Sequence, residues 1–379
     1  MSLWNLIKNV RNNLYSNKLN EALMQDRKIV IFAPYSKVGD NIKFGKRLKC
    51  SDFYICVPDN FIENIPTFTD ASLLKLSQLY EFHKEYNVVV FTGADALSLK
   101  FWDYFSEIGI ETILLMGRSK DYNRIYRSML FNITRINSVY KNLDCISKAY
   151  YAATLCNKGS GDIKDIRFSE EKQYFLEGYL PEVGNIVIDG GAYDGMTAKA
   201  FCDIGCQVYS FEMDGLNYQK GLQLAQNEKF VLENMGLGRK KAEMQYREGG
   251  VGSAISKDGD KMARIIDIDT YANEKGLSSI DFIKMDIEGS EMTALQGAAK
   301  SIIKYKPKMA ICTYHKLQDM WEIPLYVKRL RPDYEFAFRH HIIDGGQEYL
   351  WNKEEMQLLD EYEMDYKCKS MWESVLYCR

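Results

Sequence analysis

The sequence predicts an α/β protein built from two units with parallel sheets, joined by a helical connector. Short apolar runs alternate with amphipathic stretches over residues 28–117, and the same alternation restarts at Asn185. Between these regions, residues 121–180 have helical periodicity and few glycines or prolines. A chain of 379 residues is also too long for one ordinary core. We therefore expect a small α/β domain over 1–120, a connector over 121–180, and a second α/β domain over 181–379.

The first domain is expected to be a degenerate Rossmann-like unit with strands and one well-marked helix. Its first turn, Pro34 to Gly39, contains a single glycine, and Pro34 lacks the backbone donor that a phosphate needs. This pattern favours a scaffold for docking or homodimer formation over a second nucleotide or nucleotide-sugar site. The expected strands are 28–33, 53–57, 88–91 and 112–115, with a helix at 71–85.

The second domain begins with a clear strand–turn–helix pattern and continues the alternation of strands and helices. Residues 353–367 are acidic and polar, which predicts a surface insertion before the last strand. The expected strands are 186–188, 207–211, 230–233, 281–285 and 308–312, with closing strands at 334–339 and 375–378.

Composition excludes several classes of function. A net charge of −3 disfavours a nucleic-acid partner, and no run approaches the roughly 18 apolar residues of a membrane-spanning helix. The beginning of the sequence has no secretory pattern. The nine cysteines have no framework spacing, and Cys202 and Cys206 have no second pair nearby. We expect a cytoplasmic protein with reduced thiols and no zinc site.

Residues 185–195 are the most informative stretch, because a β-branched strand ends there in an acid and two glycines. Ala192 replaces the middle glycine of a dinucleotide fingerprint, and Asp189 and Asp194 would repel a diphosphate. S-adenosylmethionine, which has positive charge and no phosphate, fits better. Glu212 lies about 20 residues on, where an acid accepts from ribose hydroxyls. The alternative is a plain strand–turn–helix. The expected cofactor contacts are Asp189, Gly190, Gly191, Ala192, Tyr193, Gly195, Glu212, Met213, Met235 and Asp286.

A second acidic segment, Asp286 to Glu291, follows another buried strand pattern. Asp286 and Glu288 project to one face of an extended chain, at the sheet edge where ligands bind. Such a cluster favours contact with the ammonium of the cofactor or with a substrate hydroxyl. Alternatively, Ser290 and Glu291 begin the next helix and Asp286 caps the loop. A divalent metal is chemically compatible, but the sequence supplies no clear ligand set, and no metal is expected.

Histidines at the same edge are candidates for the acceptor side. His315 follows the strand at 308–312, and its ordinary pKa suits taking a proton from a hydroxyl, unless it only bonds loop backbone. Aromatic side chains there favour a stacking surface for a sugar, or else belong to the core. Arg339 could equally pair with an acid. The catalytic candidates are His315, Asp286 and Glu288, and the candidates for the acceptor are Glu291, Tyr314, Trp321, Arg339, His340 and His341.

These motifs resemble the FkbM family of S-adenosylmethionine-dependent methyltransferases, over roughly residues 170–379. The resemblance extends to a sugar-associated branch of that family. The residues that carry it are Asp189-x-Gly-Ala-x-x-Gly195, Phe211-Glu212, Ile283 to Glu291, Gln173-Tyr174-Phe175, Tyr314-His315-Lys316, Asp319 to Pro324, Arg339-His340-His341 and Trp372 to Tyr377.

The resemblance implies a seven-stranded methyltransferase fold and O-methylation of a hydroxyl, on a glycan or another polar acceptor. Two features depart from the family pattern: Tyr193 stands where the generic turn has glycine, and residues 342–371 interrupt the closing hairpin. One alternative is a dinucleotide-dependent oxidoreductase, which Ala192 and the missing Tyr-x-x-x-Lys arrangement disfavour. The other is a catalytically silent binding module in glycan assembly.

Overall fold

The computed structural model forms two compact units, each assembled from separate stretches of the chain. The first unit consists of Met1–Ile133, Ala152–Glu170 and His341–Met371, and the second of Thr134–Tyr151, Glu171–His340 and Trp372–Arg379. The structure describes residues 3, 7, 21, 29–33, 38–48, 53–64, 72–81, 88–91, 96–114, 119–161, 163–228, 230–247, 253–343 and 351–379.

The first unit contains a parallel five-stranded sheet with the order β3-β2-β1-β4-β5. This is the Rossmann-like sheet that the sequence predicts. Its first strand is a buried parallel strand, since every residue of β1 is buried. The elements are β1 (Ile29–Phe32), α1 (Val38–Arg47), β2 (Phe53–Val57), β3 (Ser72–Lys75), α2 (Leu76–Glu81), β4 (Val88–Phe91), α3 (Ala96–Glu107) and β5 (Thr112–Leu114), with a 3-10 helix at Asp59–Asn64.

The helix predicted over residues 71–85 is wrong in its first part. Ser72–Lys75 form strand β3, which pairs in parallel with β2 through Ile55 opposite Leu73. Pairing along an existing strand outweighs the helical spacing of the leucines, since the pattern of a short apolar run does not distinguish strand from helix. Residues 71 and 82–85, and the turn Pro34 to Lys37, lie outside the described residues.

The predicted connector is helical only through Ser160. Three helices occur there, and beyond them a 3-10 turn at Ile163–Asp165 is followed by an irregular segment that leads to the second sheet. The helices are α4 (Ser119–Phe131), α5 (Ile133–Lys141) and α6 (Cys145–Ser160).

The second unit contains a seven-stranded sheet with the order β15-β16-β14-β13-β6-β7-β8. Strand β16 runs in the opposite direction to the other six strands of this sheet. The expected seven-stranded fold is therefore confirmed. The strands of the unit are β6 (Ile186–Gly190), β7 (Gln207–Phe211), β8 (Val231–Glu233), β9 (Gly236–Leu237), β10 (Ala242–Arg247), β11 (Ala254–Ile255), β12 (Lys261–Ile266), β13 (Phe282–Met285), β14 (Lys308–Cys312), β15 (Phe336–His340) and β16 (Ser374–Cys378).

The register of this sheet brings the two predicted motifs together. Strands β6 and β13 are adjacent and parallel, with Asp189 opposite Lys284 and Gly190 opposite Met285. The glycine turn and the acidic segment therefore leave the sheet side by side at its carboxyl edge. The helices that follow the strands are α7 (Met196–Ile204), α8 (Gly215–Glu228), α9 (Ile268–Lys275), α10 (Glu291–Gly297), α11 (Ala299–Tyr305), α12 (Asp319–Leu330) and, within the first unit, α13 (Lys353–Glu361).

A small four-stranded sheet, with the order β11-β10-β12-β9, was not predicted from the sequence. Its strand β10 has four exposed residues and a single buried one, Tyr246. Such a strand lacks the apolar pattern by which strands are recognised. The glycine-rich loop at 249–252 lies outside the described residues.

The interpretation of residues 353–367 as a surface insertion is wrong. This segment contains α13, whose Leu358 and Leu359 are buried at 1% and 0% exposure in the core of the first unit. Tyr362 packs edge-on against Phe101, with ring centroids 5.6 Å apart. The helix is amphipathic: its acidic residues dominate the composition of the segment, while its two leucines face inward.

Two global expectations concern membranes and thiols. Among the helices of the described residues, none combines the length and the apolar character that crossing a membrane requires. The eight cysteines within the described part of the chain are all free. Cys202 and Cys206 are among these free cysteines.

Leu359→Ala should destabilise the first unit by about 2–5 kcal/mol, because it leaves a cavity in a closed core. Urea unfolding followed by tryptophan fluorescence measures this loss. Leu216→Ala is the matched control, since Leu216 is 61% exposed. Equal effects of the two substitutions would contradict the placement of α13 in the core.

Candidate functional site

The glycine turn after β6 is held against its neighbours by backbone contacts. Gly191 has φ +80°, and a Cβ on it would overlap the carbonyl oxygen of Asp286. The amides of Gly191 and Ala192 both donate to the carbonyl of Phe211, at 2.9 and 3.0 Å. Glycine is therefore required at 191 because the acidic segment packs directly against the turn. The sequence predicts Gly191 as a cofactor contact, and in the structure its close neighbour is the backbone of Asp286.

Tyr193 departs from the generic turn, and its conformation explains why glycine is common there. Its φ is +51°, in the left-handed region that costs an L-residue about 1–2 kcal/mol. Its amide donates to Oε2 of Glu212 at 2.9 Å, and Lys220 Nζ lies 4.9 Å from its ring centroid. Gly195, with φ +86°, then caps α7. These contacts hold Tyr193 in a backbone conformation that normally belongs to glycine.

Asp189 and Lys284 form a buried ion pair beneath the turn. Lys284 Nζ lies 3.2 Å from Asp189 Oδ1, and the two side chains are 3% and 0% exposed. The same ammonium donates to the carbonyls of Gly190 and Gly191 at 3.1 and 2.7 Å, and Ser210 Oγ donates to Asp189 Oδ2 at 2.9 Å. Burial alone would lower the pKa of Lys284, but the carboxylates of Asp189 and Asp286 raise it. Asp189 thus supports the turn from below.

The sequence did not identify Lys284 as a functional candidate. It lies in a strand whose four residues are all buried, Phe-Ile-Lys-Met. A lysine in such a run needs a buried partner, because an unpaired buried charge is costly. The lysine within this apolar run was therefore the sequence feature that could have predicted a buried acidic partner, which is Asp189.

Glu212 ends β7 with its carboxylate pointed at the backbone of both flanking loops. Oε2 accepts from Tyr193 N at 2.9 Å and Oε1 from Asp214 N at 2.8 Å. Burial raises the pKa of Glu212, while the two amides oppose that rise. Each oxygen has a further lone pair, so the carboxylate can accept from two neighbouring hydroxyls as well.

Met213 and Met235 lie on the two loops that follow β7 and β8. Both side chains are half-buried, and a Cβ built on Gly236 would come within 3.4 Å of Met213 Cβ. Asn234 Nδ2 donates to the carbonyl of Glu212 at 3.0 Å, which ties the two loops together. The structure therefore places both predicted methionines beside Glu212.

Asp286 is the partly exposed carboxylate at the end of β13, with 22% of its side chain exposed. Tyr174 Oη donates to Oδ2 at 2.6 Å and Tyr314 Oη donates to Oδ1 at 3.0 Å. Burial opposes ionisation, but the Lys284 ammonium, His315 and the two phenols together lower the pKa of Asp286. Asp286 is therefore an ionised and oriented carboxylate. Tyr174 was quoted as a family motif but not identified as a site residue.

His315 lies among three carboxylates. Its Nε2 is 3.3 Å from Glu288 Oε2 and 3.5 Å from Asp286 Oδ1, and its Nδ1 is 2.9 Å from Glu291 Oε1. Burial lowers the pKa of His315, but Glu288, Glu291 and Asp286 raise it to about 10. With no cation present, the imidazole keeps its proton at neutral pH. The predicted role of His315 as a general base therefore lacks electrostatic support.

Glu291 is fully buried, so its carboxylate cannot contact an acceptor as expected. Oε1 accepts from the amides of Ile287 and Gly289 at 2.9 and 3.3 Å. Glu288 and Gly289 have φ +53° and +89°, and these bonds stabilise that tight turn. Glu291 is a positioning residue for the loop and for His315.

The remaining acceptor candidates are buried in structural roles. Trp321 is 1% exposed, so it offers no stacking surface. Arg339 donates to Glu171 Oε2 at 2.7 Å, which is the acid pair considered as its alternative. His340 Nδ1 lies 2.7 Å from Ser374 Oγ, and His340 and His341 are 0% exposed. Of the six predicted acceptor residues, Tyr314 alone is half-buried, and its hydroxyl donates to Asp286.

Glu373 is a further acidic residue. It lies within the motif Trp372 to Tyr377 but was not predicted as a site residue. It has φ +103°, a conformation that costs about 1–3 kcal/mol, and its Oε2 accepts from Gln173 Nε2 at 2.6 Å. Burial and the nearby Asp286 raise the pKa of Glu373 to about 7. Strained residues with shifted pKa values concentrate at functional sites, so Glu373 belongs to the candidate site.

Asp319, at the start of α12, is 3% exposed, and its Oδ2 has no hydrogen-bond partner. Burial and the Glu291 carboxylate raise the pKa of Asp319 to about 7, although Lys316 and His315 oppose the shift. Between about pH 4 and pH 7, Asp319 therefore keeps a proton in the folded protein that it has released in the unfolded chain. The free energy of unfolding falls as the pH rises from about 4 to about 7.

Asp319→Asn should stabilise the protein more at pH 8 than at pH 5, by about 2 kcal/mol. Urea unfolding at the two pH values measures the difference. Asp203→Asn is the control, since Asp203 is an exposed aspartate of α7. A gain that is the same at both pH values would contradict the raised pKa.

Lys284→Met should destabilise the second unit by about 3–5 kcal/mol, because it leaves the Asp189 carboxylate buried without a cation. Adding Asp189→Asn removes the charge and should recover most of the loss. Thermal unfolding of the wild type, both single variants and the double variant gives the coupling energy. Additive losses would show that the two side chains do not form a pair.

Comparison with solved structures gives one similarity that shows the fold. The methyltransferase FkbM of Methylobacillus flagellatus is 18% identical, with a TM-score of 0.67, and the match covers 100% of this chain and 98% of that one. A putative rRNA-methylase from Clostridium thermocellum (8% identity, 52% and 86% coverage, TM-score 0.30) and a Haemonchus contortus phosphoethanolamine N-methyltransferase (9%, 97% and 91%, 0.25) are too dissimilar to support an argument. No curated protein matches the chain.

A comparison with protein-family models concerns the part of the chain that contains the candidate site. The model of the methyltransferase FkbM domain matches residues 189–343, which begin at Asp189 and include Glu212, Asp286 and His315. The matched segment thus contains the glycine turn, the acid after β7 and the carboxylate cluster. Residues 189–343 are therefore similar to the methyltransferase FkbM domain.

Proposed function

We propose that the second unit binds S-adenosylmethionine at the carboxyl edge of its sheet and transfers the methyl group to a hydroxyl. The acceptor that we propose is a saccharide or a similarly polar molecule, as in the sugar-associated branch that the sequence resembles. One observation carries the proposal: the glycine turn, Glu212 and Asp286 lie at the same carboxyl edge of the sheet, where the turn contacts both acids. There the backbone of the turn, one acid after β7 and one ionised acid after β13 meet.

The nucleoside half of the cofactor is proposed to lie against the loop after β7. Glu212 is fixed by two backbone amides and keeps free lone pairs, which suits the two ribose hydroxyls. Met213 and Met235 offer half-buried apolar side chains for the adenine. The contacts of the turn, Gly190 to Gly195, are proposed to come from backbone atoms.

The methionine half is proposed to lie toward Asp286. Asp189 is neutralised by Lys284 and fully buried, so it acts through the turn and not by contact. Asp286 is partly exposed and ionised, which suits the ammonium of the cofactor or a hydroxyl of the acceptor. This division of labour between the two aspartates revises the expectation that both contact the cofactor.

The chemistry requires an oxygen to approach the methyl carbon in line with the departing sulfur. The oxygen–methyl bond forms as the sulfur–methyl bond breaks, sulfur keeps the electron pair, and the hydroxyl proton passes to solvent water. Asp286 and Glu288, at 22% and 29% exposure, are the accessible carboxylates of the cluster. We propose that these two side chains orient the acceptor hydroxyl, with His315 between them.

For the first unit we propose a scaffold for docking or for homodimer formation. Its parallel sheet is intact, while the sequence that follows its first strand, Pro34 to Gly39, contains a single glycine. A phosphate site at such a turn needs several free amides, and Pro34 supplies none. The unit is therefore proposed to have no catalytic role.

Glu212→Gln should weaken binding of S-adenosylhomocysteine by about 10–100-fold, because charge-assisted hydrogen bonds to the ribose are lost. Titration calorimetry on the full chain measures the dissociation constant. Glu243→Gln, an exposed change on β10, should leave the constant unchanged.

Transfer itself is tested with S-adenosylmethionine carrying a labelled methyl group and a panel of oligosaccharides and polyols. Label in an ether that resists alkaline hydrolysis is the expected result. A protein that does not bind S-adenosylhomocysteine would refute the proposed cofactor. Binding of the cofactor without transfer to any hydroxyl would favour a silent binding module instead.

A further inference from the structure

Three side chains at the acceptor edge converge in a way that methyl transfer alone does not require. Asp286, Glu288 and His315 each offer one ligand atom, and these atoms lie within 4.8 Å of one another. The three residues come from two loops, one after β13 and one after β14. We propose that they bind a divalent metal ion of the Mg²⁺ or Mn²⁺ class.

The spacing of the donors supports an ion at their centre. His315 Nε2 lies 3.5 Å from Asp286 Oδ1 and 3.3 Å from Glu288 Oε2. An ion with bonds of about 2.1 Å places neighbouring ligands about 3.0–3.4 Å apart, for octahedral or tetrahedral angles. The two separations that involve His315 are close to this range, and the three ligand atoms all lie within 4.8 Å of one another.

His315 gives a second and independent indication. Its side chain is 9% exposed, and neither ring nitrogen has a partner with hydrogen-bond geometry, although carboxylate oxygens lie close. Nδ1 faces Glu291 Oε1 at 2.9 Å, while Nε2 points into the space between Asp286 and Glu288. A carboxylate behind the histidine and carboxylates beside its other nitrogen is the usual surrounding of a metal-bound imidazole.

The negative charge of the cluster also favours a bound cation. Asp286, Glu288 and Glu291 bring three carboxylates around one imidazole. The nearest lysine of the strand, Lys284, forms an ion pair with Asp189, and Lys316 donates to the carbonyl of Gly289. A divalent ion would balance the negative charge that remains, in a setting where like charges repel strongly.

The donor set favours a hard ion with open positions. Two carboxylates and one imidazole suit Mn²⁺ and also accept Mg²⁺, since oxygen donors predominate. Asp286 and Glu288 are partly exposed, which leaves one side of the ion open to water or to an acceptor oxygen. The site is therefore of the catalytic kind and not a closed structural site.

The role of the ion rests on the proposed function. An ion bound beside Asp286 would take an acceptor hydroxyl as a ligand and lower its pKa, so that the proton passes to solvent water. The oxygen then attacks the methyl carbon.

Manganese binding by the full chain, without cofactor, tests the site. Electron paramagnetic resonance of free Mn²⁺ should show one ion bound per chain. Glu288→Gln should weaken that binding at least 10-fold, because one of three ligands is lost. Glu274→Gln, an exposed change in α9, is the matched control and should bind as the wild type does. Circular dichroism shows that each variant is folded.

The outcomes separate this site from the proposed function. No bound Mn²⁺, or equal binding by wild type and Glu288→Gln, would overturn the metal site even if S-adenosylhomocysteine binds. Bound manganese that Glu288→Gln loses, in a chain that does not bind S-adenosylhomocysteine, would support the metal site and refute the proposed cofactor. Transfer that continues at the same rate in excess chelator would overturn the catalytic role of the ion.

Discussion

The buried pair of Asp189 and Lys284 is the interaction on which the arrangement of the site depends. It joins β6 to β13, and the same ammonium bonds to the carbonyls of Gly190 and Gly191. One lysine thus fixes where the strand ends and how the turn leaves it. A buried ion pair of this kind is not a strong source of stability, but loss of either partner is costly. The position of the turn is therefore closely specified, which suits a ligand held by backbone atoms.

The carboxyl edge combines that fixed turn with a dense set of acids. Asp286 is held by two phenols, and Glu291 is held by backbone amides of its own loop. Each acid has different neighbours, so burial, hydrogen bonds and charge act on each in different proportions. Asp286 stays ionised, whereas Glu373 has its pKa raised to about 7. The proposed cation and the proposed acceptor hydroxyl would both contact this cluster.

The two units show how an insertion serves a part of the molecule remote in sequence. Residues 341–371 leave the second unit between β15 and β16 and complete the core of the first through Leu358 and Leu359. Strands β15 and β16 still pair over five residues, from Phe336 opposite Cys378 to His340 opposite Ser374. The residues that interrupt the expected hairpin therefore contribute to the core of the first unit.

The sequence by itself determined the parallel sheets, the glycine turn, Glu212 and the acidic segment after β13, because strand patterns and turn residues are local signals. The tertiary structure decided which of the other polar residues are accessible. It buried Trp321, Arg339, His340 and His341, and it placed His315 among carboxylates from another loop. It also revealed Lys284 as the partner of Asp189 and Tyr174 as a donor to Asp286. These roles depend on contacts between residues that are roughly 90–110 positions apart, and on the burial those contacts produce, which no local pattern records.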